Sequence, residues 1–167
     1  MTIRCMRDDD RTCILRITAE TFGPASIDRN IDERLGSVAS SDWIHRKCLV
    51  VAAECDNHSN VLVAVDPEDR VLGYVTLRWD AATRVGGIPN LAVDHPHQGG
   101  GIGRALLEAA IESLRDRGAD LVRIETLEQN PVGRHLYPSL GFVEVARQIH
   151  YALRLDTEPS GDPAPLP

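Results

Sequence analysis

The chain has 167 residues, 43% of them hydrophobic and 26% charged, with a formal net charge of -7. That length and balance suit one globular domain able to bury a core without staples. The acidity argues against nucleic acid or an anionic membrane as partner, and no apolar run nears the ~18 residues that span a bilayer.

Ile3 to Met6 reads as a short first strand. Asp8 to Asp10 can cap a helix through Thr12–Glu20, with Cys13, Ile14 and Ile17 on one face, and Gly23-Pro24 stops it. The opening ten residues lack the apolar stretch of a secretory signal, so the cytoplasm is the expected compartment. Ile27, Ile31, Leu35 and Val38 recur at helical intervals, and Trp43 then precedes a mixed polar run. Cys5, Cys13, Cys48 and Cys55 show no paired short spacing, and Cys55 with His58 makes only a lone CxxH. Four reduced, mostly buried thiols are expected, with no metal.

Val61–Val65 and Val71–Trp79, joined by the turn-like Asp66-Pro67-Glu68-Asp69, make a hairpin. Gly86–Val93 is a further strand in which Pro89 removes a ladder donor, marking an edge, a bulge or a splayed position. Gly101–Arg117 is the clearest helix, with Ile102, Leu106, Leu107, Ala110, Ile111 and Leu114 on its apolar face. Leu121–Thr126 is a strand, Asn130-Pro131 opens a helix to about Leu140, and Phe142–Val145 and Ile149–Leu155 read as closing strands. One domain over 1–155 is expected, followed by a proline-rich, disordered tail over 156–167.

Gly99, Gly100, Gly101 and Gly103 fall within five positions at a helix N-terminus, where bare N–H groups and the positive end of the helix dipole suit a phosphate or pyrophosphate. A P-loop would continue into Lys-Ser/Thr, and here Arg104-Ala105 follows Gly103. The dinucleotide fingerprint would place a third glycine where Arg104 stands, in the first βα turn rather than mid-chain.

Leu91-Ala92-Val93, Pro96 and Gln98-x-x-Gly101-x-Gly103 resemble the acyl-CoA loop of the GCN5-related N-acetyltransferases. Asn130, Leu136-Tyr137 and Gly141-Phe142 are similar to that family's second signature. The resemblance covers about residues 3 to 155, with 26–60 least well matched. It implies a mixed α/β fold, a mostly antiparallel central sheet splayed at its middle and flanked by helices.

It further implies acetyl-CoA as cosubstrate, with the backbone of Leu91, Ala92 and Val93 holding the pantetheine arm as a missing strand would. Gln98, Gly99, Gly100, Gly101, Ile102, Gly103 and Arg104 would cradle the pyrophosphate, although Arg104 equally suits a solvent-facing helix start. Asn130 either contacts the donor's arm or simply caps its helix. Tyr137 either protonates the departing thiolate or packs as core.

Many members of the family carry a glutamate base a few residues before Leu91, and here Gly86–Asn90 offers no carboxylate. Asn90 could position a water, Glu125 could reach the cleft as base, and Glu128 and His135 are weaker candidates. The acceptor chamber is expected between the Ser26–Trp43 segment and the loops near Trp79 and Arg84. The implied reaction is direct transfer of acetyl to a primary amine on a small molecule. A protein amine (N-terminal or lysine) and a non-catalytic acyl-CoA sensor are the alternatives. A homodimer through exposed sheet edges is compatible with this reading.

Overall fold

Val61, Val63 and Val65 face one side of β2 (Val61–Val65), while Leu62 and Ala64 face the other. A strand buried on both faces must lie inside a sheet covered on both sides. The computed structural model, which describes residues 1–155 apart from residue 39, shows that sheet. The tail expected over 156–167 lies outside the described residues. β1 (Thr2–Cys5), β2, β3 (Val71–Asp80) and β4 (Val85–Val93) are antiparallel neighbours in that order, and β5 (Leu121–Ile124) joins β4 in parallel.

Helices α1 (Arg11–Thr21) and α3 (Trp43–Glu54) cover one face through Ile14, Ile17 and Val51. Helix α4 (Ile102–Asp116) covers the other through Leu106, Leu107, Ala110 and Leu114. Between α1 and α3 runs α2 (Ile27–Leu35), whose N-cap Ser26 accepts from the Arg29 amide. Asp42 caps α3 in the same way, accepting from the His45 amide at 2.8 Å. Arg46 of α3 reaches Asp32 of α2 at 2.5 Å, tying the two helices together. None of the helices among the described residues is long and apolar enough to cross a membrane.

The expected architecture is present, with three corrections. Helix α5 (Pro131–Leu136) ends before Tyr137 and passes into a 3-10 turn at Pro138–Leu140. Among the described residues 142–155 no strand forms. Val143, Val145, Ile149, Tyr151, Leu153 and Leu155 alternate as a strand would, yet all are exposed. Side chains hold this segment instead: Arg147 pairs with Glu128 at 3.0 Å, and Arg154 donates to the Leu35 carbonyl at the end of α2 at 2.5 Å. Of the four free thiols only Cys55 is buried, and Cys5 is exposed, because β1 sits at the sheet's edge.

Candidate active site

The site begins at an irregularity in β4. Thr76 pairs with Asn90 and Arg78 with Gly87, so Ile88 and Pro89 together oppose Leu77. This one-residue bulge sits where proline denies the ladder a donor. It also resets the pleat. Ile88 packs on the α4 face, whereas Ala92 beyond the bulge packs on the α1/α3 face. Pairing to β5 stops at Ile88 opposite Ile124, so, among the described residues, 89–93 of β4 have no strand on that side. A cleft of about 1010 Å³ occupies the gap, running from the glycine loop past Leu91, Ala92 and Val93 to Phe22, Ser26 and Asp28.

At one end, Gly99 (φ 78°) and Gly101 (φ 84°) adopt left-handed backbone, and a Cβ at either would meet nothing within 4 Å. Glycine is needed there for conformation, not for room. Gly101 is the N-cap of α4 and provides no side-chain cap, leaving the helix's first amides to an anionic ligand. Gln98, Gly99, Gly101, Ile102, Gly103 and Arg104 line this end; Gly100 belongs to the same loop without lining it. Gln98 Nε2 donates to the Val93 carbonyl at 2.9 Å, and Arg104 Nη2 donates to Ser139 Oγ at 2.6 Å.

Along the cleft wall, Thr126 organises the α5 side. Asn130 accepts from the Gly133 amide as N-cap and donates to Thr126 Oγ1 at 2.9 Å. Its amide therefore serves α5 while the residue lines the cleft. Burial pushes the Tyr137 phenol's pKa up, against the opposing influence of the Thr126 side chain. Its ring meets Phe142 edge-on at 6.2 Å. Tyr137 thus keeps its proton at neutral pH with the ring in the cleft wall.

Lys47 lines the opposite wall and leads to a polar network behind it, absent from the sequence-based expectations. Lys47 Nζ donates to Asn90 Oδ1 at 2.6 Å, and Asn90 Nδ2 donates to Glu54 Oε2 at 2.5 Å and Thr76 Oγ1 at 3.0 Å. Asn90 is almost fully buried. With its amide engaged by three protein groups, it is not free to position a water, because the bulge turns it toward α3. Glu125 does line the cleft, but its carboxylate is 75% exposed and pairs with Arg123 at 3.0 Å. Glu128 is drawn off to Arg147, while His135 remains at the cleft. Trp79 and Arg84 lie elsewhere: they sit at the far end of the β3–β4 hairpin, where Arg84 pairs with Asp120 at 2.6 Å. One sequence signal could have singled out Lys47, since it is the only lysine among 18 lysines and arginines.

The profile of the Acetyltransferase (GNAT) family matches residues 27–142, most of the chain. The mycothiol acetyltransferase of Salinispora tropica is 36% identical over 99 residues, covering 55% of this chain and 31% of that protein. The [ribosomal protein bS18]-alanine N-acetyltransferase of Escherichia coli is 42% identical over 62 residues, 37% of this chain and 42% of that one. The chain thus spans less than half the length of either relative. In three dimensions it superposes on the crystal structure of the E. coli ribosomal-protein-S18-alanine enzyme with TM-score 0.62 and 22% identity, covering 87% of this chain and 79% of the other. A GNAT-family acetyltransferase from Staphylococcus aureus gives TM-score 0.64 at 15% identity, covering 87% and 86%. The chain belongs to the GNAT family of acetyltransferases.

Proposed function

We propose that this chain uses acetyl-CoA to acetylate the primary amine of a small molecule by direct attack. The observation that carries the reading is the continuity of the cleft. An uncapped, glycine-led helix N-terminus, a stretch of β4 open on its β5 side and an end lined by Phe22, Ser26 and Asp28 lie along one channel. The first fits a pyrophosphate, the second an extended arm that bonds the backbone of Leu91 and Val93, and the third an acceptor. Acetyl-CoA supplies the acetyl group as a thioester. The backbone amide near Val93 polarises the carbonyl, and the Tyr137 phenol, protonated at neutral pH and raised further by burial, gives its proton to the departing sulfur.

An amine on a protein is the second reading, favoured by the likeness to the E. coli bS18-alanine enzyme. Calorimetry with acetyl-CoA, then free-thiol release against polyamines, aminoglycosides, amino-acid amides and short peptides, tests both. Release with a small amine supports the proposal, and release with peptides alone moves it to a protein acceptor. Binding without release leaves a sensor, and absence of binding overturns the reading altogether.

A further inference from the structure

The acceptor side of the cleft carries one amine of its own. Lys47 is the single lysine of a chain whose other 17 basic residues are arginine. Arginine matches or exceeds lysine as a cation and hydrogen-bond donor, but it does not give up its proton in proteins. What only lysine offers is an amine that can lose a proton. Lys47 is half-buried on α3 and lines the cleft together with Phe22, Asp28, Leu91 and Glu125.

Its surroundings loosen the hold on that proton, burial outweighing the nearby negative charges. Among the described residues no carboxylate forms an ion pair with Lys47. Glu54, the nearest source of negative charge on α3, is engaged by Arg78 at 2.8 Å and by the Asn90 amide. Asn90 stands between carboxylate and amine, donating to Glu54 and accepting from Lys47. The remaining groups facing Lys47 are Asp28 from α2, Cys48 beside it and Arg78 from β3. Burial and the Arg78 charge lower the amine's pKa, Glu54, Asp28 and Cys48 raise it, and burial dominates. The Phe22 ring lies 4.4 Å from Nζ, ready to stabilise the ammonium once it forms.

We propose that Lys47 is the proton acceptor of the transfer reaction, taking a proton from the incoming ammonium before it attacks. The assignment rests on the acetyl-transfer reading above and answers the lack of a carboxylate on β4 before Leu91. Lys47 Nζ gains one proton, and the acceptor becomes a neutral amine. As that amine attacks, the C–N bond forms and the C–S bond breaks. The thiolate takes the Tyr137 proton, the second amine proton restores the phenol, and Lys47 returns its own to water. One ammonium and one thioester therefore give one amide, one thiol and one proton.

A sole lysine makes the test direct. In the full chain labelled with ¹³C-lysine there is one Cε signal, and its titration with CoA bound reports Lys47 alone. A midpoint below that of free lysine is expected, and a midpoint at the ordinary value overturns the proposal. Lys47→Arg keeps the charge and the donor to Asn90 but cannot deprotonate. It should lower kcat/KM for a reactive amine of the panel about 100-fold. It should also erase the limb on which activity rises with pH, at unchanged CoA affinity and melting temperature. Activity of Lys47→Arg within about threefold of wild type, with the limb intact, overturns the proposal. If no panel amine reacts, the acetyl-transfer reading fails on those acceptors and the role of Lys47 with it, whereas an ordinary Cε midpoint overturns Lys47 even if an amine reacts.

Discussion

Tyr137 keeps its proton at neutral pH as any phenol does, burial raising its pKa further, and a protonated phenol at the cleft wall is what a departing thiolate needs. Tyr137→Phe removes that proton but leaves the ring contact with Phe142. Thiol release is expected to fall about 100-fold, with acetyl-CoA affinity by calorimetry unchanged. A matching loss of affinity would place the tyrosine in binding instead. Asn90 teaches the converse lesson at the same scale. Its sequence position beside Leu91 suggests a role in the cleft, but its hydrogen bonds go to Lys47, Glu54 and Thr76. Neither Lys47 nor Glu54 is near Asn90 in the chain, so no spacing rule could have joined them.

At the level of elements, Pro89 and the glycine run were legible because they act on their own backbone. A proline cannot donate wherever it stands, and a left-handed residue favours glycine in any fold. Gly101→Ala puts a side chain at φ 84° with open space around its Cβ, so the penalty is purely conformational. A loss of about 1–2 kcal/mol is expected, seen as a lower melting temperature, together with weaker acetyl-CoA binding as the N-terminus of α4 shifts. Binding weakened with the melt unchanged would separate the loop from the fold's stability. The closing segment went the other way. Its alternation from Val143 to Leu155 reads as strand, but alternation supplies only a face. A ladder also needs a partner edge, and Arg147 and Arg154 fasten this stretch to Glu128 and to the end of α2.

Across the whole molecule, two cores share one sheet, and its N-terminal edge is fastened by charge. Arg4 of β1 donates to Asp10 at 2.7 and 3.1 Å, and to Asp69 in the β2–β3 turn at 2.9 Å. Asp10 is buried and also accepts from the Arg7 amide at 2.7 Å. Burial opposes ionisation of Asp10, but the bonds from Arg4 and Arg7 outweigh it and hold the carboxyl below the usual range. A carboxyl depressed on folding contributes stability above its unfolded pKa, near 3.9, and that contribution is lost as pH falls through the folded value. Denaturant melts should therefore lose stability below about pH 4. Asp10→Asn should cost about 2–3 kcal/mol at pH 7 and flatten the acid limb. An unchanged limb in the variant would assign it to other carboxylates.

What the sequence determined by itself were the features each residue carries in its own backbone or in its near neighbours. These are the helical periodicity of α4, the alternation of β2, the break at Pro89, the glycine N-terminus, and two motifs in the order and spacing of the GNAT family. Only the tertiary structure decided which groups meet across the cleft. The bulge sent Asn90 to the α3 face, α3 brought Lys47 and Glu54 to it, and the end of β5 at Ile124 left residues 89–93 open on that side among the described residues. Hydrogen bonds between residues tens of positions apart depend on how sheet and helices pack, and no local pattern encodes that packing.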